Sequence, residues 1–381
     1  MSDLVSQLKK RVKASPLAKF IPAASSTTKN LKDVFVGLAS IPSREKSLEQ
    51  VVASLLPQVA GLGVYLNNWD EVPAFLKHPK IQVARSQDHG DVRDNGKFFF
   101  IDKTNATFYA TVDDDIAYPK DYISTLVGYQ QTLGGTYAVG VHASIYPTVI
   151  KKLLRQRYLW HFAFEAPSLL PVDMIGTGTL LFERAYWQLE YSEIKTPGMA
   201  DVWFAVAAKK RNFGLWVVPR EAGWMTTIEQ EDPEDNLFNE GRLDDSVQVK
   251  ALTGAKIGST RRSLLEQVVR VPKLGSAFAI EDADALNVAA NKLSLPELEE
   301  SEFRLFDFAL VIHKRESNKN LDARLAEVLE KYVEFLMHRS SGRIYANDVD
   351  FEADYKALLK EIGLENLPAF AVRDWEYLKI S

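Results

Sequence analysis

The stretch Phe108–Pro119, FYATVDDDIAYP, sets a short run of apolar and β-prone residues directly before three consecutive aspartates. Such a run predicts a buried strand over Phe108–Val112, with Asp113, Asp114 and Asp115 at its C-terminal end. Open α/β sheets hold their ligands at that edge. Three adjacent carboxylates repel one another, so a packed strand end that gathers them needs a cation or hydrogen-bond donors close by. A divalent ion carrying a diphosphate is the simplest such partner. The competing reading is an acidic turn leading into a helix begun by Pro119, since Asp favours turns and Pro the first helical position.

Working outward, the chain alternates strand and helix. Val34–Ala39 reads as a strand, and Leu48, Val51, Val52, Leu55 and Leu56 then form a helical stripe. Val64–Leu66 and Ile81–Ala84 read as further strands, with a short helix at Val72–Leu76 between them. After the aspartates, Tyr122–Leu133 reads as a helix stopped by Gly134-Gly135. Tyr137–Ile145 and Met174–Phe182 read as single strands, Asp201–Lys210 as a helix, and Leu215–Val218 as a strand. This succession predicts an α/β fold with a doubly wound, mostly parallel sheet. The expected divisions are a basic helix and linker over 1–32, a nucleotide-binding and catalytic domain over 33–240, and a helical region over 241–381. In the last, Leu321, Leu325, Val328, Leu329, Val333 and Leu336 form one apolar face suited to core packing, a partner or a second copy of the chain.

Composition narrows the function classes. A chain of 381 residues with a net charge of −5 is long enough for a large core, and the charge argues against a general nucleic-acid binder while leaving room for local basic patches. It contains no cysteine, which removes disulfides, thiolate metal sites and cysteine nucleophiles and is compatible with the cytoplasm. No apolar run reaches the ~20 residues of a membrane-spanning helix. The first 31 residues carry Lys9, Lys10, Arg11, Lys13, Lys19 and Lys29 against Asp3, with Leu4, Val5, Leu8 and Val12 at helical spacing. That pattern suits either packing on the domain or peripheral contact with an anionic inner membrane face.

Four other places bear on chemistry. The turn after the first strand, Ser40-Ile41-Pro42-Ser43-Arg44, could seat a nucleoside with Arg44 as donor, or could be ordinary helix-start chemistry. Asn67 and Asn68 end the second strand, where an amide could read a base or form a turn. Gly90-Asp91 and Gly96-Lys97 enclose a polar loop in which backbone can approach phosphate and Lys97 can offer a charge. Gly176-Thr177-Gly178-Thr179 leaves room for a sugar or forms a bulge.

Together these features resemble the GT-A glycosyltransferases, in particular bacterial inverting enzymes akin to family 2, over Asp33–Thr227. The resemblance implies a GT-A (Rossmann-like) sheet, a nucleotide-sugar donor, a UDP-sugar foremost, and a glycan or lipid-linked glycan acceptor of a surface polysaccharide. It implies that Asp113 faces the ribose and metal, that Asp115 holds Mn2+ or Mg2+, and that Asp114 supports them or touches the sugar. Donor contacts then fall to Pro42, Arg44, Asn67, Asp91, Lys97 and Gly178. Asp201, in Gly198-Met199-Ala200-Asp201, is the implied base that deprotonates the acceptor hydroxyl; its other reading is a helix N-cap.

The chain departs from the family in having no histidine between Val217 and Glu240 to serve as a metal ligand. Glu229, Glu231 or Asp232 could substitute. Two other classes compete. A sugar-nucleotide pyrophosphorylase would carry a glycine-rich loop where this chain has Ser40–Arg44, and a non-catalytic polysaccharide-binding module would show neither hydrolysis nor transfer.

Overall fold

The computed structural model describes residues 33–151, 153, 157–166, 168–228, 245–271, 293 and 295. The basic N-terminal segment, Glu229–Asp232 and the stripe from Leu321 lie outside the described residues. Among the described residues thirteen strands follow in chain order. They are β1 (Val34–Ser40), β2 (Gly61–Leu66), β3 (Ile81–Arg85), β4 (Phe108–Val112), β5 (Ile116–Ala117), β6 (Tyr137–Gly140), β7 (Ala143–Ile145), β8 (Tyr158–Trp160), β9 (Leu170–Val172), β10 (Met174–Ile175), β11 (Thr179–Glu183), β12 (Gly214–Val217) and β13 (Thr226–Thr227). The longer helices are α1 (Glu45–Leu55), α2 (Tyr122–Leu133), α3 (Ala200–Arg211), α4 (Ser246–Gly254) and α5 (Arg261–Arg270).

Eight strands form one sheet in the order β3-β2-β1-β4-β11-β6-β12-β9. The pairs β3–β2, β2–β1, β1–β4 and β6–β12 are parallel, whereas β11 runs antiparallel to both β4 and β6, and β9 antiparallel to β12. The expected α/β class with a mostly parallel sheet is therefore the observed one. Strands β2 and β4 are buried along their whole length, as parallel strands covered on both faces must be. Helix α1 turns Leu48, Val51, Val52 and Leu55 inward at spacings of three and four residues, and Pro42 opens the short turn that precedes it.

Two single strands expected from the sequence are each divided. Tyr137–Ile145 breaks after Gly140, with β6 in the main sheet and β7 in a small sheet with β8 and β10. Met174–Phe182 breaks at Gly176–Gly178, so β10 and β11 also belong to different sheets. Apolar periodicity continues across both breaks because both strands of each pair are buried, which hides the change of partner. The helix expected at Val72–Leu76 is one tight turn, Ala74–Leu76. Helices α4 and α5 pack on α3 and β9, burying Leu252, Leu264, Leu265 and Val268. No helix among the described residues is long and apolar enough to cross a membrane.

Candidate active site

The three aspartates leave the end of β4 in the middle of the sheet, beside the turn that follows β1. That turn carries Arg44, whose Nη1 donates to Asp114 Oδ1 (3.1 Å) and Asp115 Oδ2 (2.5 Å). Lys97, on the loop that crosses over β1, pairs with Asp113 Oδ1. Lysine is almost never this buried without a partner, and here only 6 % of it is exposed. Its position is built into the sheet. Gly37 in β1 has no Cβ, and one added there would lie 1.8 Å from the Lys97 carbonyl, which accepts the Tyr109 hydroxyl at 2.7 Å.

The three carboxylates differ in exposure. The side chains of Asp113 and Asp115 are 34 % and 27 % exposed, against 9 % for Asp114. The outer two therefore reach solvent while the middle one is turned into the protein beneath Arg44.

Electrostatics follow from this geometry. Burial, only partly offset by Arg44, pushes Asp114 up to about 7, and burial together with Asp113 raises Asp115. Burial alone would pull Lys97 down, but Asp113, Asp94 and Asp201 outweigh it and hold the ammonium above its ordinary range. Arg44 is likewise raised by Asp114 and Asp115 against the opposing effect of burial. Around these two cations stand five carboxylates, those of Asp94, Asp113, Asp114, Asp115 and Asp201. The site therefore has surplus negative charge in partly dry surroundings, a state that favours a further cation or a proton.

Asp201 lies in the first turn of α3, but it does not cap its own helix. Its Oδ1 accepts the Thr177 N–H at 2.7 Å and the Thr177 hydroxyl at 2.5 Å. The free N–H groups at the start of α3 are met from elsewhere. Asp94 accepts from Gly198 N (2.7 Å) and Ala200 N (3.1 Å), the satisfaction that every helix start requires. Burial, reinforced by Asp201 and opposed by Lys97, pushes the Asp94 carboxyl up to about 6.

The segment Gly176–Thr179 joins these parts. A Cβ on Gly178 would fall 1.9 Å from Asp113 Oδ2, so the space opened by this glycine is occupied by the aspartate. The Gly178 carbonyl accepts the Tyr118 hydroxyl (2.7 Å), which in turn accepts the Asp113 N–H (2.8 Å). Thr177 holds Asp201, and Thr179 Oγ1 accepts the N–H groups of Val141 (3.1 Å) and His142 (2.8 Å).

Arg44, Lys97, Asp113, Asp114, Asp115, Gly178 and Asp201 thus meet in one place. Pro42 is exposed at the start of the turn that carries Arg44. Asn67 and Asp91 lie two strands from β4 and tie loop to sheet. Asn67 donates to Arg93 O (3.0 Å) and accepts Val92 N (3.2 Å), while Asp91 accepts from Asn68 Nδ2 (3.0 Å) and Arg93 N (2.9 Å). Asn68 takes a left-handed φ of 59°, the turn role available to asparagine. Asp94 and Thr177 were not singled out from the sequence. Asp94 stands between Gly90 and Gly96, and Thr177 between Gly176 and Gly178, where the glycines carry the sequence signal.

Among the described residues, no three His, Cys, Asp or Glu side chains converge into a complete ligand set. The available donors are hard carboxylate oxygens on Asp113 and Asp115. These fit Mg2+ or Mn2+ held jointly by one or two carboxylates, substrate phosphates and water.

No family model matches the chain, and no curated protein matches it. Among solved structures, it is similar to S. aureus TarS 1–349 in complex with UDP-GlcNAc, at 12 % identity and a TM-score of 0.33 over 87 % of this chain and 88 % of that one. It is also similar to a CMP:2-keto-3-deoxy-manno-octonic acid synthetase complexed with CTP, at 13 % identity and a TM-score of 0.35 over 56 % of this chain and 98 % of that one. A197 from STIV gives a TM-score of 0.28 at 12 % identity, over 52 % of this chain and 85 % of that one. At such scores these likenesses say nothing about chemistry.

Proposed function

We propose that the chain transfers a sugar from a nucleotide sugar, a UDP-sugar foremost, to an acceptor hydroxyl with inversion, using a divalent metal at Asp113 and Asp115 and Asp201 as the base. One observation carries this reading. Adjacent residues of one turn touch the aspartate cluster and the candidate base, Gly178 packing on Asp113 and Thr177 bonding Asp201. With consecutive Cα atoms ~3.8 Å apart, the two carboxylates stand within roughly 11 Å of each other, near enough to act on one bound donor and acceptor.

The chemistry assigns each residue a task. The two most exposed carboxylates, Asp113 and Asp115, would hold the metal, which when bound neutralises charge on the departing diphosphate. Lys97 adds a fixed positive charge beside Asp113. Asp114 and Arg44 keep the cluster in place from below. Asp201 is fixed by two donors from Thr177, which orient one oxygen and leave the other to accept a proton from the incoming hydroxyl. Asp94 secures the helix start on which Asp201 stands. The backbone of Ile228 donates to the Asp115 carbonyl at 2.7 Å, so the chain passes the aspartates immediately before Glu229.

The test is a screen of nucleotide sugars for metal-dependent binding and transfer, with Asp201→Asn alongside the wild type. The variant is expected to keep donor affinity and lose ~10²-fold or more in kcat, with product of inverted anomeric configuration by NMR. Near-normal turnover in Asp201→Asn would leave that residue a structural partner of Thr177.

A further inference from the structure

At Gly176, two residues before the glycine that packs on Asp113, lies a second polar cluster that donor binding and proton removal leave without a task. His142 is its nearest member. Gly176 N–H donates to the His142 carbonyl at 2.7 Å, and a Cβ on Gly176 would lie 3.1 Å from the His142 ring. The ring stands edge-on to His161, 5.2 Å between centroids, and His161 in turn packs on Phe162 and Phe164. Arg220 fixes this corner by donating to the carbonyls of His161 (2.5 Å), Phe162 (3.2 Å) and Val218 (3.2 Å). Arg157 donates through Nη1 to Ser144 Oγ at 3.2 Å, but its Nε is buried with no hydrogen-bond partner among the described residues.

Both histidines are held neutral. Burial, with the two arginines adding to it, lowers His142 well below its ordinary value and brings His161 down to about 4. The positive charge of the cluster therefore rests on guanidinium groups. A buried N–H left without an acceptor is destabilising, and a guanidinium fork matches the paired oxygens of a phosphate or carboxylate. The cluster also adjoins the candidate base. The buried Tyr146 side chain stands against those of Arg157 and Ser144 and lies in the electrostatic field of Asp201 as well. Arg157, His142, His161 and Asp201 are all half-buried, so each still presents surface to an incoming molecule.

We propose that Arg157, with His142 and His161 beside it, forms a subsite for an oxyanion on the sugar acceptor, a phosphate or carboxylate group that seats the acceptor hydroxyl against Asp201. Its assignment to the acceptor rests on the transfer reading above; its binding of an oxyanion does not.

Calorimetry on the full chain separates the two. Glycerol 3-phosphate, D-glycerate and neutral glycerol are titrated in turn, with UDP and Mn2+ as a parallel ligand, into the wild type, Arg157→Gln, Arg157→Lys and Asp113→Ala. At least one of the two anions is expected to bind while glycerol does not. Arg157→Gln should weaken that anion by about tenfold or more, equivalent to about 1.4 kcal/mol, and leave UDP affinity unchanged, whereas Asp113→Ala should do the reverse. Arg157→Lys, which keeps the charge without the fork, should fall between. Failure of both anions to bind the wild type, or anion binding that survives Arg157→Gln, overturns the subsite. Loss of UDP together with the anion in Arg157→Gln makes Arg157 a folding residue and overturns it equally. Anion binding without any UDP binding in the wild type removes the donor reading and leaves the oxyanion site standing.

Discussion

At Gly178 the missing side chain is needed by a neighbour, because Asp113 fills the space a methyl group would take. Gly178→Ala is therefore expected to act on the proposed donor site without altering any charge. The added methyl must displace Asp113 or the turn, since 1.9 Å to a carboxylate oxygen cannot be sustained, and displacing Asp113 separates it from Lys97. Calorimetry should show UDP–Mn2+ affinity falling by about tenfold or more, with the unfolding midpoint lowered by the cost of local overpacking, about 1–3 kcal/mol. Unchanged affinity would mean that Asp113 does not face the donor. Tyr118 reinforces the same point, since its hydroxyl bridges Asp113 N and the Gly178 carbonyl. Nothing in the sequence marks Tyr118 for this task, because its spacing from Asp113 becomes meaningful only once β11 lies beside β4.

Among the elements, the start of α3 is where sequence and structure diverge most usefully. For Asp201 the resemblance implies a base and local helix chemistry an N-cap. The cap function is instead met by Asp94, more than a hundred residues away in sequence. Strands β1, β4 and α2 were legible because each is a run of uniform burial or a clean helical stripe. The breaks after Gly140 and at Gly176–Gly178 were not, since apolar runs cannot show a strand leaving one sheet for another. Asp94 also gives a signed pH effect. Its folded-state carboxyl is raised to about 6, above the unfolded value near 3.9, so the folded state is favoured at low pH, where both states are protonated. As pH rises from about 4 through 6 the unfolded chain ionises first, and stability is lost. Relative to Asp94→Asn, the wild type is expected to lose roughly 2–3 kcal/mol across that window in urea titrations, at ~1.4 kcal/mol per pH unit. A flat difference between the two proteins across the window would place Asp94 in an ordinary solvated setting.

For the whole molecule, the boundary that composition suggests after Glu240 can be tested against packing. Helices α4 and α5 bring Leu252, Leu264, Leu265 and Val268 to essentially complete burial. Each such side chain contributes about 1.5–3 kcal/mol, so together they match much of the ~5–15 kcal/mol by which domains are usually stable. A chain ending at Glu240 is expected to lose its cooperative urea transition, whereas one ending after Leu295, which keeps these helices and the buried Leu293 and Leu295, should retain it and bind UDP. A sharp transition at the full-length midpoint in the shorter chain would show α4 and α5 to be a dispensable layer.

The antiparallel strand β11 has a kinetic counterpart. It is paired with β4 on one side and β6 on the other, so its N–H groups are shared between two neighbours and neither side of the strand is an open edge. Hydrogen exchange in Leu180–Phe182 should accordingly be among the slowest in the chain, approaching the rate of global unfolding. Gly176–Gly178 enters directly into this strand, and Thr177 holds Asp201 from there. The Asp201 carboxylate is thereby moored to a strand held on both sides, so its direction is set by the sheet itself. With Asp201 as the proposed base, reorganisation on binding is then expected in the peripheral loops and not in the carboxylate.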